Sequence, residues 1–344
     1  MRFFGAALLG TALAGTVGPA FAQDAVAQFY RGRQVNLYIG STPGGGYDSY
    51  ARLIARHLGD HIPGAPTIVP TNMPGAGSNK LAFFLYAVAP KDGTAIGAIF
   101  PGAIMEPLIG DKKVEHDPQK LIYLGSANDE KLLCIIRTDA PVKDFKDALN
   151  HEVSLAASAA GGSSRDYPAL LNSVLGAKFR IVAGYPGSRE MMLAIEQGEV
   201  QGECGLGWSS VEEAHPDWIP SGKIKVLVQE SLEGHPDVNK LGAPKAIDFA
   251  KTADDRQVLE TFYSQAIFGR PYAMPPGVPA ERVAALRKAF IETLRDPATL
   301  ADAARVRLDI VPIEGSKVQD LVTKIYATPA PIIQRIKDGL VIKQ

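Results

Sequence analysis

Apolar positions along this chain fall into two kinds of pattern, short continuous runs and longer stretches of helical period. Val35–Ile39 is a short apolar run and reads as a strand. Asp48–Leu58 puts Tyr50, Leu53, Ile54 and Leu58 near helical spacing, which predicts an amphipathic helix. Thr67–Pro70 reads as a second strand and Asn79–Val88 as a second helix. Ala95–Ile99 is a strand after the turn Pro90-Lys91-Asp92-Gly93. Strand–helix alternation with short loops predicts an α/β protein, its sheet parallel with helices on both faces.

A second α/β set begins near Leu121. Leu132–Arg137, Val153–Ala157, Ile181–Ala183 and Ile224–Val228 read as strands, and Asp166–Leu175 and Arg189–Glu196 as helices. The proline-rich segments Gly242–Pro244 and Pro271–Pro279 read as loops. Arg282–Leu294 is an amphipathic helix, Asp309–Pro312 a late strand, and Gln319–Lys337 a helical tail interrupted at Pro329 and Pro331.

The loops carry the candidate chemistry. Pro43-Gly44-Gly45-Gly46-Tyr47-Asp48 and Pro74-Gly75-Ala76-Gly77 each follow a strand-like run and open a helical stretch. Without a Cβ, glycine lets the backbone approach a ligand and aim N–H groups at it, and a helix start adds partial positive charge. Two such cradles suit a small anion, and a carboxylate is the commonest organic one. Asp48 fits a catalytic acid or metal ligand by type, but its place in the first turn favours a cap that accepts backbone N–H bonds. Gly162, Ser163 and Ser164 form a third small polar loop, followed by Arg165. Arg165 is either a carboxylate contact or a solvated surface residue. Tyr185-Pro186-Gly187-Ser188 has the same character, and Trp208 either walls the ligand space or belongs to the core. Ligands of open α/β sheets bind beyond the carboxyl ends of strands, where all four loops fall, so a cleft between two lobes is expected.

Composition narrows the class. Of 344 residues 46% are hydrophobic and 21% charged, which implies packed domains rather than disorder. A net charge of −1 gives no electrostatic case for nucleic acid or an anionic membrane surface. Arg2, the apolar and small-residue stretch Phe3–Val17 and the A-x-A site Ala20-Phe21-Ala22 predict a secretory signal cut after Ala22. The mature protein is then expected in the periplasm. The two cysteines, Cys134 and Cys204, lie in strand-like runs and are either a disulfide or two buried thiols.

Enzyme signatures are missing. The chain has no G-x-S-x-G elbow and no phosphate-binding G-x-x-x-x-G-K-[ST] loop. His57 and His61 are four apart, but Gly59 and Pro63 mark that helix as ending, and no H-E-x-x-H pattern exists. No metal, cofactor or catalytic residue is expected. The rival reading is a secreted α/β hydrolase using Asp48 or a serine near Ser163.

Taken in order, the motifs resemble one family. Pro43–Asp48 with Ala51-Arg52 is similar to the PGG-x-x-D-x-x-AR signature of the tripartite tricarboxylate transporter receptors, the Bug family. Asn72–Gly77 resembles their N-x-PGAG loop, Pro90–Thr94 their P-x-DG-T turn, and Tyr185-Pro186-Gly187 their Y-x-G loop. Glu196–Val200 resembles the G-x-V turn that follows, and the similarity runs from about Val35 to the C-terminus. The resemblance implies a Venus-flytrap receptor of the type II periplasmic class, two lobes each with a mixed sheet flanked by helices. It implies a carboxylate held by backbone amides of the first lobe and delivered to integral-membrane permease subunits. Residues 1–22 would be the signal, 23–126 with 262–344 one lobe, and 127–261 the other. A monomer is expected, and a receptor serving a sensor kinase is the variant reading. The chain departs from the family at Gly161–Asp166 and Gly205–Trp208, which points to an additional anionic or polar ligand group near Arg165.

Overall fold

The computed structural model describes residues 19–110 and 114–342. The expected signal core Phe3–Val17 lies outside the described residues. Pro19–Tyr30 is a helix anchored by buried Val26 and Tyr30, and the Tyr30 hydroxyl donates to Gly93 O at 3.1 Å.

The described strands are β1 (Gln34–Ile39), β2 (Thr67–Asn72), β3 (Ala95–Ala98), β4 (Ile122–Ser126), β5 (Leu132–Arg137), β6 (Val153–Ala157), β7 (Phe179–Ala183), β8 (Gly202–Gly207), β9 (Ile224–Gln229), β10 (Pro271–Met274) and β11 (Ile313–Glu314). They form a six-stranded sheet in the order β11-β4-β10-β3-β1-β2 and a five-stranded sheet in the order β7-β6-β8-β5-β9. In β1, Val35, Leu37 and Ile39 are wholly buried, the outcome of alternation on a half-covered face. The helix Gly46–His61 buries Tyr50, Leu53, Ile54 and Leu58, the positions that the helical spacing marked. Each such side chain taken fully from water contributes about 1.5–3 kcal/mol.

Both sheets are mixed, so the all-parallel reading of the alternation needs correction. β1 is parallel to β2 and β3, but β10 is antiparallel to β3 and β4. In the second sheet β6 is parallel to β7 and β8, while β5 is antiparallel to β8 and β9. β5 and β10, each the first strand after a change of sheet, run against their neighbours, as does the short β11 against β4.

Pro271–Met274, read as loop, is a wholly buried strand. Pro271 occupies its first position, where a missing N–H is tolerated. Asp309–Pro312, read as strand, is irregular, and the short β11 follows it. The helices Pro101–Ile109 and Ala253–Tyr263 were hidden, the first by its own prolines, one of which sits in the first turn. The tail does break at Pro329, into Gly315–Tyr326 and Ala330–Leu340. This last helix lies against Ser163–Leu175, which covers the second sheet, and against Ala253–Tyr263. It buries Ile332, Ile333 and Ile336 there, and Arg335 Nη2 reaches Asp255 Oδ1 at 2.6 Å.

The cysteines are joined. The Cys134–Cys204 disulfide staples β5 to β8 across 70 residues of sequence.

The chain passes from the first sheet to the second through residues 127–131 and returns through 264–270. The two crossings lie side by side. Ala127 N–H donates to Arg270 O and Glu130 N–H to Ala266 O, both at 3.0 Å.

Candidate functional site

A cavity of about 450 Å³ lies between the two sheets. Its walls come from the loops after β1, β2 and β3 on one side, the loops after β6, β7 and β8 on the other, and both crossings.

The first loop is built around Asp48. Its Oδ2 accepts Gly44 N–H at 2.9 Å, its Oδ1 accepts Asn72 Nδ2 at 2.8 Å, and Arg52 Nε lies 2.9 Å away. Burial pushes this carboxyl up, but the Arg52, Gly44 and Asn72 hydrogen bonds outweigh it and bring it below the usual carboxylate range. Asp48 therefore ties the loop to the end of β2. Gly45, Gly46 and Tyr47 lie on the cavity wall, whereas Pro43, Gly44 and Asp48 stand behind it.

The second loop is the more unusual. Gly75, Ala76, Gly77 and Ser78 have φ of 142°, 48°, 58° and 72° in succession. Positive φ at Ala76 and Ser78 costs about 1–3 kcal/mol each, and such strain persists where surroundings enforce it, often at binding sites. Left-handed turns of this kind make N–H concavities that take anions. Pro74–Ser78 all face the cavity. Two wall residues, Ser78 itself and Ser41, have buried hydroxyls without a hydrogen-bond partner.

On the facing side, Gly162, Ser163, Ser164 and Tyr185–Ser188 are also on the wall. The serine hydroxyls are engaged: Ser163 donates to Gly205 O at 2.6 Å, and Ser164 accepts Ser158 N–H at 3.0 Å. Arg165 does not reach the cavity. Its Nη1 is held 2.9 Å from Asp166 Oδ1, so the ligand group expected beside it has no support. Trp208 also turns away. Its ring lies against that of His235, centroids 5.5 Å apart and tilted by 37°, and it lines a separate cavity of about 260 Å³. His57 Nε2 lies 3.1 Å from Asp302.

The two sides touch across the gap. A Cβ on Gly77 would sit 2.7 Å from Ala160 O, one on Gly45 2.9 Å from Ser188 Oγ, and one on Gly102 would collide with Gly161 O. Small residues are required here because two backbones meet.

Sequence reasoning missed the charges at the core of the site. Glu130 Oε2 and Arg270 Nη2 are 2.6 Å apart, both side chains almost wholly buried. Arg270 lies over the Tyr47 ring at 4.2 Å and the Tyr50 ring at 5.0 Å. Burial pushes the Tyr47 hydroxyl up to about 12, keeping it a donor, and it donates to Gly269 O at 3.1 Å. Arg270 is the one cationic side chain on the described wall. Glu203, on β8, was missed as well, although it is the sole charge in Gly202–Gly207, a signal the sequence does carry.

No protein-family model matches the chain, and no curated protein matches it. Solved structures do. The chain is similar to MatC from Rhodopseudomonas palustris with bound malate, at a TM-score of 0.69 and 22% identity, covering 90% of this chain and 99% of that one. It is similar to Rpa4515 of R. palustris with adipate, at 0.68 and 20%, covering 88% and 97%. The periplasmic binding protein BugD gives 0.69 and 22%, covering 92% and 100%. This likeness shows the fold: two mixed sheets, each flanked by helices, as in these periplasmic binding proteins.

Proposed function

We propose that this protein is an extracytoplasmic receptor that captures a small carboxylate between its two lobes and delivers it to a tripartite tricarboxylate-type membrane permease. The carrying observation is the cradle of Pro74–Ser78 with the partnerless Ser41 and Ser78 hydroxyls, facing the cavity between the sheets. The chain's ordered motifs and its likeness to proteins that hold malate and adipate support the reading. In this reading residues 23–126 with 262–344 form one lobe and 127–261 the other, with the last helix crossing back onto the second. Gly45–Tyr47, Pro74–Gly77, Gly162–Ser164 and Tyr185–Ser188 make the ligand wall.

Carboxylate binding needs contacts made from both lobes, because only such contacts favour the closed form. Each charge-assisted hydrogen bond contributes about 1.5–3 kcal/mol, so a few reach micromolar affinity, near −8 kcal/mol. The signal is cut after Ala22, and the remaining turns of the first helix keep the Val26 and Tyr30 anchors. The mature receptor works as a periplasmic monomer.

The test is thermal melting of protein stripped of carried ligand, against mono-, di- and tricarboxylates. A ligand at a hundred times its Kd adds about 2.7 kcal/mol and raises Tm. No shift with any carboxylate would refute the assignment.

A further inference from the structure

The cavity wall made by the second sheet has an acidic recess. Glu203 is 1% exposed and lines the cavity, and its Oε2 has no hydrogen-bond partner. Glu230, just past β9, is wholly buried. Its Oε2 reaches over β5 to accept Gly205 N–H at 2.6 Å, and its Oε1 has no partner. Tyr167, on the cavity wall, stacks flat on Tyr263 with centroids 5.4 Å apart and 5° between the planes. Neither tyrosine hydroxyl has a partner. The charge of Glu230 is felt at Glu203, Tyr167 and Tyr263, so the four side chains form one group. Buried polar atoms are nearly always paired in native proteins. Four partnerless oxygens in one group, with Glu203 and Tyr167 on the cavity wall and Glu230 and Tyr263 behind them, point to a guest that supplies hydrogen bonds.

The chemistry of that guest follows from what faces the recess. All four groups can accept hydrogen bonds, and the sole wall cation, Arg270, is already ion-paired with Glu130. A ligand carboxylate here would find no free counterion, and would meet like charge wherever either glutamate ionises, whereas a cation gains an ion pair by displacing a proton. An ammonium group brings three donors, no acceptor and the opposite charge.

We infer that Glu203 and Glu230, with the Tyr167 and Tyr263 hydroxyls, form an ammonium subsite, and that the ligand is an amino carboxylate. Its carboxylate lies on the Ser41–Ser78 cradle and its amine in the acidic recess. The inference rests on the receptor reading and specifies its ligand class. In the unliganded protein, burial holds Glu203 well above the usual carboxylate range and Glu230 at about 8. Asp166 and Tyr47 are the other titratable groups whose charge reaches Tyr167. When the ammonium enters, it ion-pairs with a carboxylate, and the proton leaving that carboxyl goes to solvent.

Isothermal titration calorimetry on stripped protein tests this with matched probes. Succinate, glutarate and adipate are compared with β-alanine, 4-aminobutanoate and 5-aminopentanoate, which exchange one carboxylate for an ammonium. The best amino acid is expected to bind about tenfold or more tighter than its dicarboxylate counterpart. Its binding heat should vary with the ionisation enthalpy of the buffer, reporting proton release. Glu203→Gln, close in shape and neutral like the buried acid, should abolish the preference. Glu230→Gln keeps an acceptor for Gly205 N–H and should narrow it, a second reading should the first variant fold poorly. Dicarboxylates binding equally or more tightly in every pair would overturn the ammonium subsite and leave the carboxylate receptor standing. Binding by neither class would overturn both.

Discussion

Glu130 Oε2 lies 2.6 Å from Arg270 Nη2, and the two residues sit on the two segments where the chain crosses between its sheets. Ser209 Oγ donates to Glu130 Oε2 at 3.0 Å, and Arg270 Nη2 donates to Ser210 Oγ at 3.3 Å. The pair therefore ties the two crossings together and floors the cavity at once. Burial alone would favour the neutral form of Arg270, but the Glu130 charge outweighs it and holds the guanidinium charged.

Breaking this pair should be costly. Glu130→Ala leaves the Arg270 charge buried and alone, a situation worth about 3–5 kcal/mol of lost stability. Removing both partners, as in Glu130→Leu with Arg270→Met, should recover a large part. Urea unfolding of the single and double variants checks this, and an unchanged midpoint for Glu130→Ala would contradict the tie.

Lobe closure has a cleaner probe at Gly102. It sits in the first turn of the helix Pro101–Ile109, where alanine is a good residue, yet its Cβ would strike Gly161 O across the gap. Gly102→Ala should fold normally and lose about tenfold or more in ligand affinity, because it props the lobes apart. Small-angle scattering with saturating ligand should show a larger radius of gyration than the parent. Parental affinity together with full compaction would show that the contact is dispensable.

The disulfide predicts a stability effect separable from binding. Cys134–Cys204 closes 70 residues of chain, and losing such a crosslink typically costs about 2–5 kcal/mol. Cys134→Ser with Cys204→Ser should melt well below the parent and still respond to ligand. A melting point equal to the parent's would count against a structural role.

The unliganded protein should lose stability as pH rises through the range from about 6.5 to 8, above the ordinary histidine value. Glu230 ionises near 8 when folded, against an ordinary value of 4.5, and burial raises Glu203 in the same direction. Below the ordinary value both folded and unfolded states hold these protons. Above it the unfolded chain releases them first, so folding weakens until the pH passes the folded value. Asp48, Asp255 and Asp302 are shifted downward, so their contributions are already complete in this window. Tm measured across the range should fall for the parent and fall less for Glu230→Gln. Burial lowers His116 and His215, which works in the opposite sense below about 6.5, so the difference between parent and variant carries the test, and parallel profiles would remove Glu230 from the account.

How much of this was legible depended on distance along the chain. The glycine loops at 43–48, 74–77 and 185–188 announce themselves, because a local turn after an apolar run needs local residue types. The helix face Tyr50–Leu58 was equally plain. Glu130 and Arg270 are brought together by the double crossing between sheets, and no spacing in the sequence encodes that meeting. Arg165 attracted notice for its guanidinium, yet the adjacent Asp166 captures it, so residue type without a partner map misleads. Trp208 follows β8 on a helix whose start turns it toward His235 and away from the ligand space. The strand Pro271–Met274 was masked by Pro271 and the prolines that follow it, although burial there overrides local punctuation.

The most direct measurement is a crystal structure of the protein with its tightest carboxylate from the melting panel. The account predicts a ligand carboxylate within hydrogen-bonding distance of the Gly75–Ser78 amides and the Ser41 and Ser78 hydroxyls, with the lobes shut over it. Ligand found outside the interlobe cavity, or held there with its carboxylate turned away from those residues, would contradict it.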